Sequence, residues 1–108
     1  MNATAPKTLD RLQGLVQLYD QGYNSPTIDN AIDKLLTAEI ARARVQEHEL
    51  AAQLAAYEHQ YEMASEDFYR RFSAGDLGDE MDYVEWSILY ELHQAILERL
   101  RILGEVTP

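Results

Sequence analysis

An all-α fold follows from three observations on this 108-residue chain. Proline occurs only at 6, 26 and 108, and glycine only at 14, 22, 75, 78 and 104. These residues punctuate helices. Between them, apolar residues recur at steps of three and four, while no segment shows the period-2 alternation of a strand. Nor does any segment repeat another. The expected architecture is four helices, at about 8–21, 25–63, 65–74 and 79–103. They would form a helical bundle or, through the long second helix, a hairpin-like dimer. Residues 1–7 are expected to be a disordered arm, and 8–108 a single helical domain, a size that buries enough surface to fold without staples.

Each helix has its own signals. In the first, Thr8 can cap, and Leu9, Leu12, Leu15, Val16 and Tyr19 form an apolar stripe. Gly14 weakens this helix by about 1 kcal/mol relative to alanine, and Gly22 suits the left-handed residue past its end. The second begins at Ser25-Pro26, a cap followed by proline at the first helical position. It meets no breaker until Met63, a length of roughly 57 Å. Positions 36, 40, 43, 47, 50, 54, 57 and 61 form a heptad-like seam, interrupted by Glu47. A helix so long needs a partner along its length, from the same chain or another.

The third helix is short. Ser65 is its expected cap, Glu66 and Asp67 complement the positive end of its dipole, and Phe68, Phe72 and Tyr69 are candidates for the inward face. Gly75 ends it. Leu77, between two glycines, is expected to plug the core. In the fourth helix, Met81, Val84, Ile88, Leu89, Leu92, Ile96, Leu100 and Leu103 are read as the core-facing side. Trp86 lies beside that stripe, and Gly104 is the expected stop.

Nineteen acids against nine Lys and Arg give a net charge of −10. Nucleic-acid phosphates require a cationic face, and an anionic membrane surface would repel the chain. Neither is an expected partner. A basic protein would be attracted and steered. No run reaches the roughly 18 apolar residues of a membrane span, and the first residues lack a signal-peptide pattern. The chain has no cysteine, which excludes disulfides and thiolate metal sites. A cytoplasmic location is the expectation.

No enzymatic constellation emerges. There is no nucleophile elbow and no Gly-rich phosphate loop. An EF-hand register starting at Asp76 puts Gly78 at position 3 and Met81 at position 6, where an oxygen ligand and a glycine are needed. His48, His59 and His93 form no Glu-x-x-His pair and read as surface or rim residues. A divalent-metal-dependent hydrolase could draw paired acids from Asp82/Glu85 with Asp29/Asp33 or Glu58/Glu62, but such pairs are common on helices. No catalytic residue, metal ligand or cofactor is assigned.

The richest segment is 68–91, FYRRFSAGDLGDEMDYVEWSILYE. From Phe72 to Glu98 there are seven acids and no Lys or Arg. Asp79 as cap, with Asp82 reaching back, would account for part of this acidity. Capping leaves Asp76, Glu80 and the lack of bases unexplained, and the segment as a whole supplies a candidate partner-binding set: Asp76, Asp79, Glu80, Asp82, Tyr83, Glu85, Trp86 and Tyr90. Aromatic residues beside charges are typical of protein interfaces.

The residues Tyr61-Glu62-Met63-Ala64-Ser65-Glu66-Asp67-Phe68, Arg71-Phe72, Gly75-Asp76-Leu77-Gly78-Asp79, Asp82 and Glu85-Trp86 carry a resemblance over about 57–92. The segment resembles a group of small acidic prokaryotic helical proteins, some regarded as antitoxins of toxin–antitoxin pairs. Its most specific part is the G-D-x-G-D…D…E-W core. The resemblance implies a non-enzymatic interaction module that neutralises a basic toxin through an acidic and aromatic surface. Two other readings stand beside it: a self-associating structural protein dimerising through helix 25–63, and the metal-dependent hydrolase.

Overall fold

The computed structural model describes residues 4–106. Four helices follow in order: α1 (Thr4–Asp20), α2 (Pro26–Tyr61), α3 (Ser65–Ser73) and α4 (Met81–Glu105). No strand occurs among the described residues. Backbone packing divides the described residues into two compact units, one up to Ile32 and one from Asp33 onward, with α2 contributing to both.

In the first unit, α1 begins at Thr4, inside the arm expected at 1–7; residues 1–3 of that arm lie outside the described residues. Thr8 is therefore within the helix and does not cap it. Proline at 6 does not prevent this, because the first turn has no intrahelical acceptor for the missing N–H. The helix closes as expected at Gly22, whose φ is +91°. The Tyr23 N–H donates to Leu18 O and the Gly22 N–H to Tyr19 O, the paired bonds of a Schellman ending. Ser25 caps α2, its Oγ accepting from the Ile28 N–H at 3.2 Å. The Tyr19 hydroxyl reaches the same cap, donating toward Ser25 O (3.2 Å) and Asp29 Oδ1 (2.8 Å).

In the second unit, α2 and α4 run antiparallel. Glu47 meets His93, Tyr57 meets Glu85 and Tyr61 meets Asp82, so contacts that rise along α2 fall along α4. The heptad-like seam therefore faces the same chain: Ala43 and Leu54 are buried, and Glu47, Leu50, Tyr57 and Tyr61 half-buried. Glu47, which breaks the seam's apolar pattern, sits there to hold His93 at 2.9 Å. His93 is the partly buried rim histidine; His48 and His59 are exposed.

Three boundaries differ from the sequence reading. α2 ends at Tyr61 because Glu62 takes a left-handed φ of +51°, and the Met63 N–H donates to Glu58 O. A glutamate at such a position carries strain that glycine would not, which is why the sequence shows no stop there. α4 starts at Met81, after an N-cap at Glu80 that makes no side-chain cap bond; Asp79 is not the cap. At its other end, α4 runs through Gly104 to Glu105, with Arg101 bridging Glu98 and Glu105 across the last turns.

The core of this unit is aromatic. Leu54, Phe68 and Trp86 are buried, with Tyr57, Tyr61, Met63, Tyr69, Phe72, Leu77, Tyr83, Leu89 and Tyr90 packed around them. Phe68 and Trp86 stack with ring centroids 3.8 Å apart and planes 3° from parallel. Tyr57 and Tyr61 stack on the same indole at 5.5 and 5.7 Å. Leu77 packs against this cluster, as its place between two glycines suggests.

Candidate protein-docking surface

The eight candidate residues separate into three groups. Trp86 is 0% exposed. Its indole N–H donates to Ser65 Oγ at 2.9 Å, so the ring is a core residue and is not presented to a partner. This also corrects the role expected of Ser65. The N-cap of α3 is Ala64, without a side-chain cap bond. Ser65 is the first helical residue and is occupied with the indole. The capping function passes to Glu58 of α2, whose Oε2 accepts the Ser65 N–H at 3.0 Å, placing a carboxylate at the positive end of the α3 dipole.

Asp82, Tyr83, Glu85 and Tyr90 form the second group and line the seam between elements. The Tyr61 hydroxyl donates to Asp82 Oδ2 at 2.5 Å, and the Gln60 amide lies 3.5 Å from the same oxygen. The Tyr57 hydroxyl donates to Glu85. Tyr69 donates to Glu91 Oε2 at 2.6 Å while its ring stacks on Tyr90 at 4.7 Å. Tyr83 packs edge-on against Tyr61. These carboxylates are thus acceptors in a tyrosine–carboxylate ladder joining α2 and α3 to α4. Asp82 is not the reaching-back partner of a capping box, because the Tyr61 hydroxyl holds it across the helix interface. The hydrogen bonds to the carboxylates, then burial, push the Tyr57 and Tyr61 hydroxyls up to about 12. In Tyr69 the bond to Glu91 acts in the same direction.

Asp76, Asp79 and Glu80 make up the third group. All three are exposed, and none has an ion-pair partner among the described residues. Their turn is well anchored. Gly75, with φ +82°, ends α3; the Asp76 N–H donates to Arg71 O and the Gly75 N–H to Phe72 O, again a Schellman ending. Directly after the turn stands Met81, 80% exposed.

Met81 begins a feature that the sequence reading placed on the wrong side of α4. Val84, Ile88, Leu92 and Ile102 are also exposed, Ile88 and Leu92 by half. Leu89, Leu100 and Leu103 are half-buried, and only Ile96 of that predicted core stripe is buried. The inward face of α4 is instead the one carrying Tyr83, Trp86, Tyr90 and His93. Spacing alone did not separate the two faces, since both are apolar at helical period. The tyrosine–carboxylate pairing, which has a polar handle on each side, was the signal available to do so.

Among the described residues, no three His, Asp or Glu side chains converge on a metal-sized site. The acids considered for such a site point to separate partners: Glu58 to the α3 backbone, Asp82 to Tyr61 and Glu85 to Tyr57. No described helix is long and apolar enough to cross a membrane. In the comparisons with known proteins, no family model, no curated protein and no solved structure matches the chain.

Proposed function

We propose that the chain is a non-enzymatic protein–protein interaction module that captures a basic protein, in the manner of an antitoxin neutralising its toxin. The observation that carries this reading is the anchored turn before α4. Asp76, Asp79 and Glu80 stand exposed there with no cation to satisfy them, beside the exposed thioether of Met81. A flexible apolar side chain next to unpaired charge offers both attraction at distance and contact area on arrival. The ladder residues Asp82 and Glu85 stiffen the platform behind this turn. The resemblance of residues 57–92 to small acidic prokaryotic proteins, some regarded as antitoxins, supports the same reading.

The test is co-purification of the chain with the product of the neighbouring gene, followed by calorimetry at two salt concentrations. Simultaneous Asp76→Lys, Asp79→Lys and Glu80→Lys substitution should weaken association by about 10- to 100-fold, mostly through the association rate. Screening should reduce the difference at high salt. Binding that is indifferent to all three reversals would remove the turn as the recognition surface.

A further inference from the structure

We infer that the outward face of α4 is a self-association surface, and that it pairs with α4 of a second copy in antiparallel orientation. The seam of α2, on which a dimer could have been built, is already occupied from Glu47 to Tyr61 by the chain's own α4 and α3. On α4 the row Met81, Val84, Ile88, Leu92 and Ile102 stays exposed, at steps of three and four with Ala95 and Arg99 continuing the line; Leu9, Leu12 and Val16 of α1 and Leu35 and Val45 of α2 are exposed as well, but none of these forms so long a row. The row is about 32 Å long. Beside it, Leu50 of α2 with Leu92, Ala95 and Ile96 lines a shallow groove. Ridge and groove on one surface are what an isologous two-fold contact requires.

Charge selects the occupant and its direction. The first half of α4 and its preceding turn carry Asp76, Asp79, Glu80, Asp82, Glu85 and Glu91, without a base. The second half carries Arg99 and Arg101. Arg101 is committed to Glu98 and Glu105, whereas Arg99 is exposed, lies on the row, and has no ion-pair partner among the described residues. Parallel pairing would set acids against acids. Antiparallel pairing about a two-fold axis at Leu92 sets Arg99 level with Glu85 of the second copy, twice per dimer. It also opposes the two helix dipoles favourably. A second copy therefore supplies a base at the acidic end of this face, which has none, and an ion-pair partner to Arg99, which makes none within the chain although Glu49 lines the same groove.

Sedimentation equilibrium of the full chain at tens of micromolar should give twice the chain mass. Leu92→Glu should give the monomer mass with an unchanged helical circular dichroism spectrum, because Leu92 is half exposed and outside the core. Arg99→Glu should weaken the dimer by about tenfold. The orientation is read by oxidative cross-linking, which the absence of native cysteine makes clean. With diamide, Leu92→Cys should link to itself across the two-fold axis and Met81→Cys should not. A monomer at these concentrations, a dimer indifferent to Leu92→Glu, or cross-linking of Met81→Cys in place of Leu92→Cys would overturn the inference. None of these outcomes depends on whether a basic partner binds the turn.

Discussion

The two faces of α4 are built from comparable amounts of apolar side chain, yet only one is core. The inward face presents Tyr83, Trp86, Tyr90 and His93; the outward face presents Met81, Val84, Ile88 and Leu92. The difference lies in polar handles. Trp86 donates to Ser65, and His93 meets Glu47. The rings facing them from α2 and α3, Tyr57, Tyr61 and Tyr69, donate to Glu85, Asp82 and Glu91 on α4. Each bond has a required direction, so each fixes rotation and register as well as contributing stability. Aliphatic side chains fix neither.

The sharpest way to break this comparison is to remove the largest inward residue. Trp86→Ala should cost about 3–5 kcal/mol, seen as a collapse of the urea midpoint followed by far-ultraviolet circular dichroism. A loss below about 1 kcal/mol would mean that the stacked rings are not the core. Ser65→Ala comes next. It leaves the buried indole N–H without an acceptor, for which about 1–3 kcal/mol is expected, although Ser65 itself is small and lies at a helix start.

Tyr61→Phe removes one rung of the ladder and should lower the urea midpoint at neutral pH, by less than either change above. The ladder also sets an alkaline limit. The folded state holds the Tyr57 and Tyr61 protons up to about 12, against 10 for the unperturbed side chain. Between those values the folded chain binds more protons than the unfolded one, so stability falls as pH rises. The contribution is complete below pH 10 and lost on passing through about 12. Absorbance of tyrosinate should show these two of the seven tyrosines ionising last, with one late ionisation absent in Tyr61→Phe. Uniform ionisation near 10 would mean that the hydroxyls are not held by the carboxylates.

The smallest effect belongs to the outward face. Ile88→Gln in the monomeric Leu92→Glu background should move the urea midpoint by less than about 0.5 kcal/mol in stability. A loss comparable with that of Trp86→Ala would show that the two faces had been assigned the wrong way round.

Much of the fold was legible because helix punctuation is local chemistry. Ser25-Pro26, Gly22 and Gly75 each act where they stand, through one cap or one positive φ. The errors fall where a distant residue competes. Ser65 has the chemistry and position of a cap, but Trp86 claims its hydroxyl, and Glu58, seven positions earlier, does the capping. Asp82 fitted a capping box until Tyr61 is placed opposite it. Glu62 carries no sequence mark of a stop because a glutamate rarely takes the left-handed conformation that it has there. Of the candidate surface, the exposed acids of the turn were legible from composition. The inward position of Trp86, and with it the choice between the two faces of α4, was not, since hydrophobic period is the same for either.

The stacked arrangement around Trp86 also makes the chain its own optical probe. It has one indole, fully buried and hydrogen-bonded, with tyrosine rings 5.5 and 5.7 Å away. Light absorbed by those tyrosines should pass to it efficiently, and its emission should be shifted to the blue while the packing lasts. Every change in that emission reports residues 33–108 first, because no tryptophan lies in α1. Circular dichroism reports all four helices, so fluorescence and circular dichroism followed together can tell whether the aromatic core opens with the rest of the chain or apart from it.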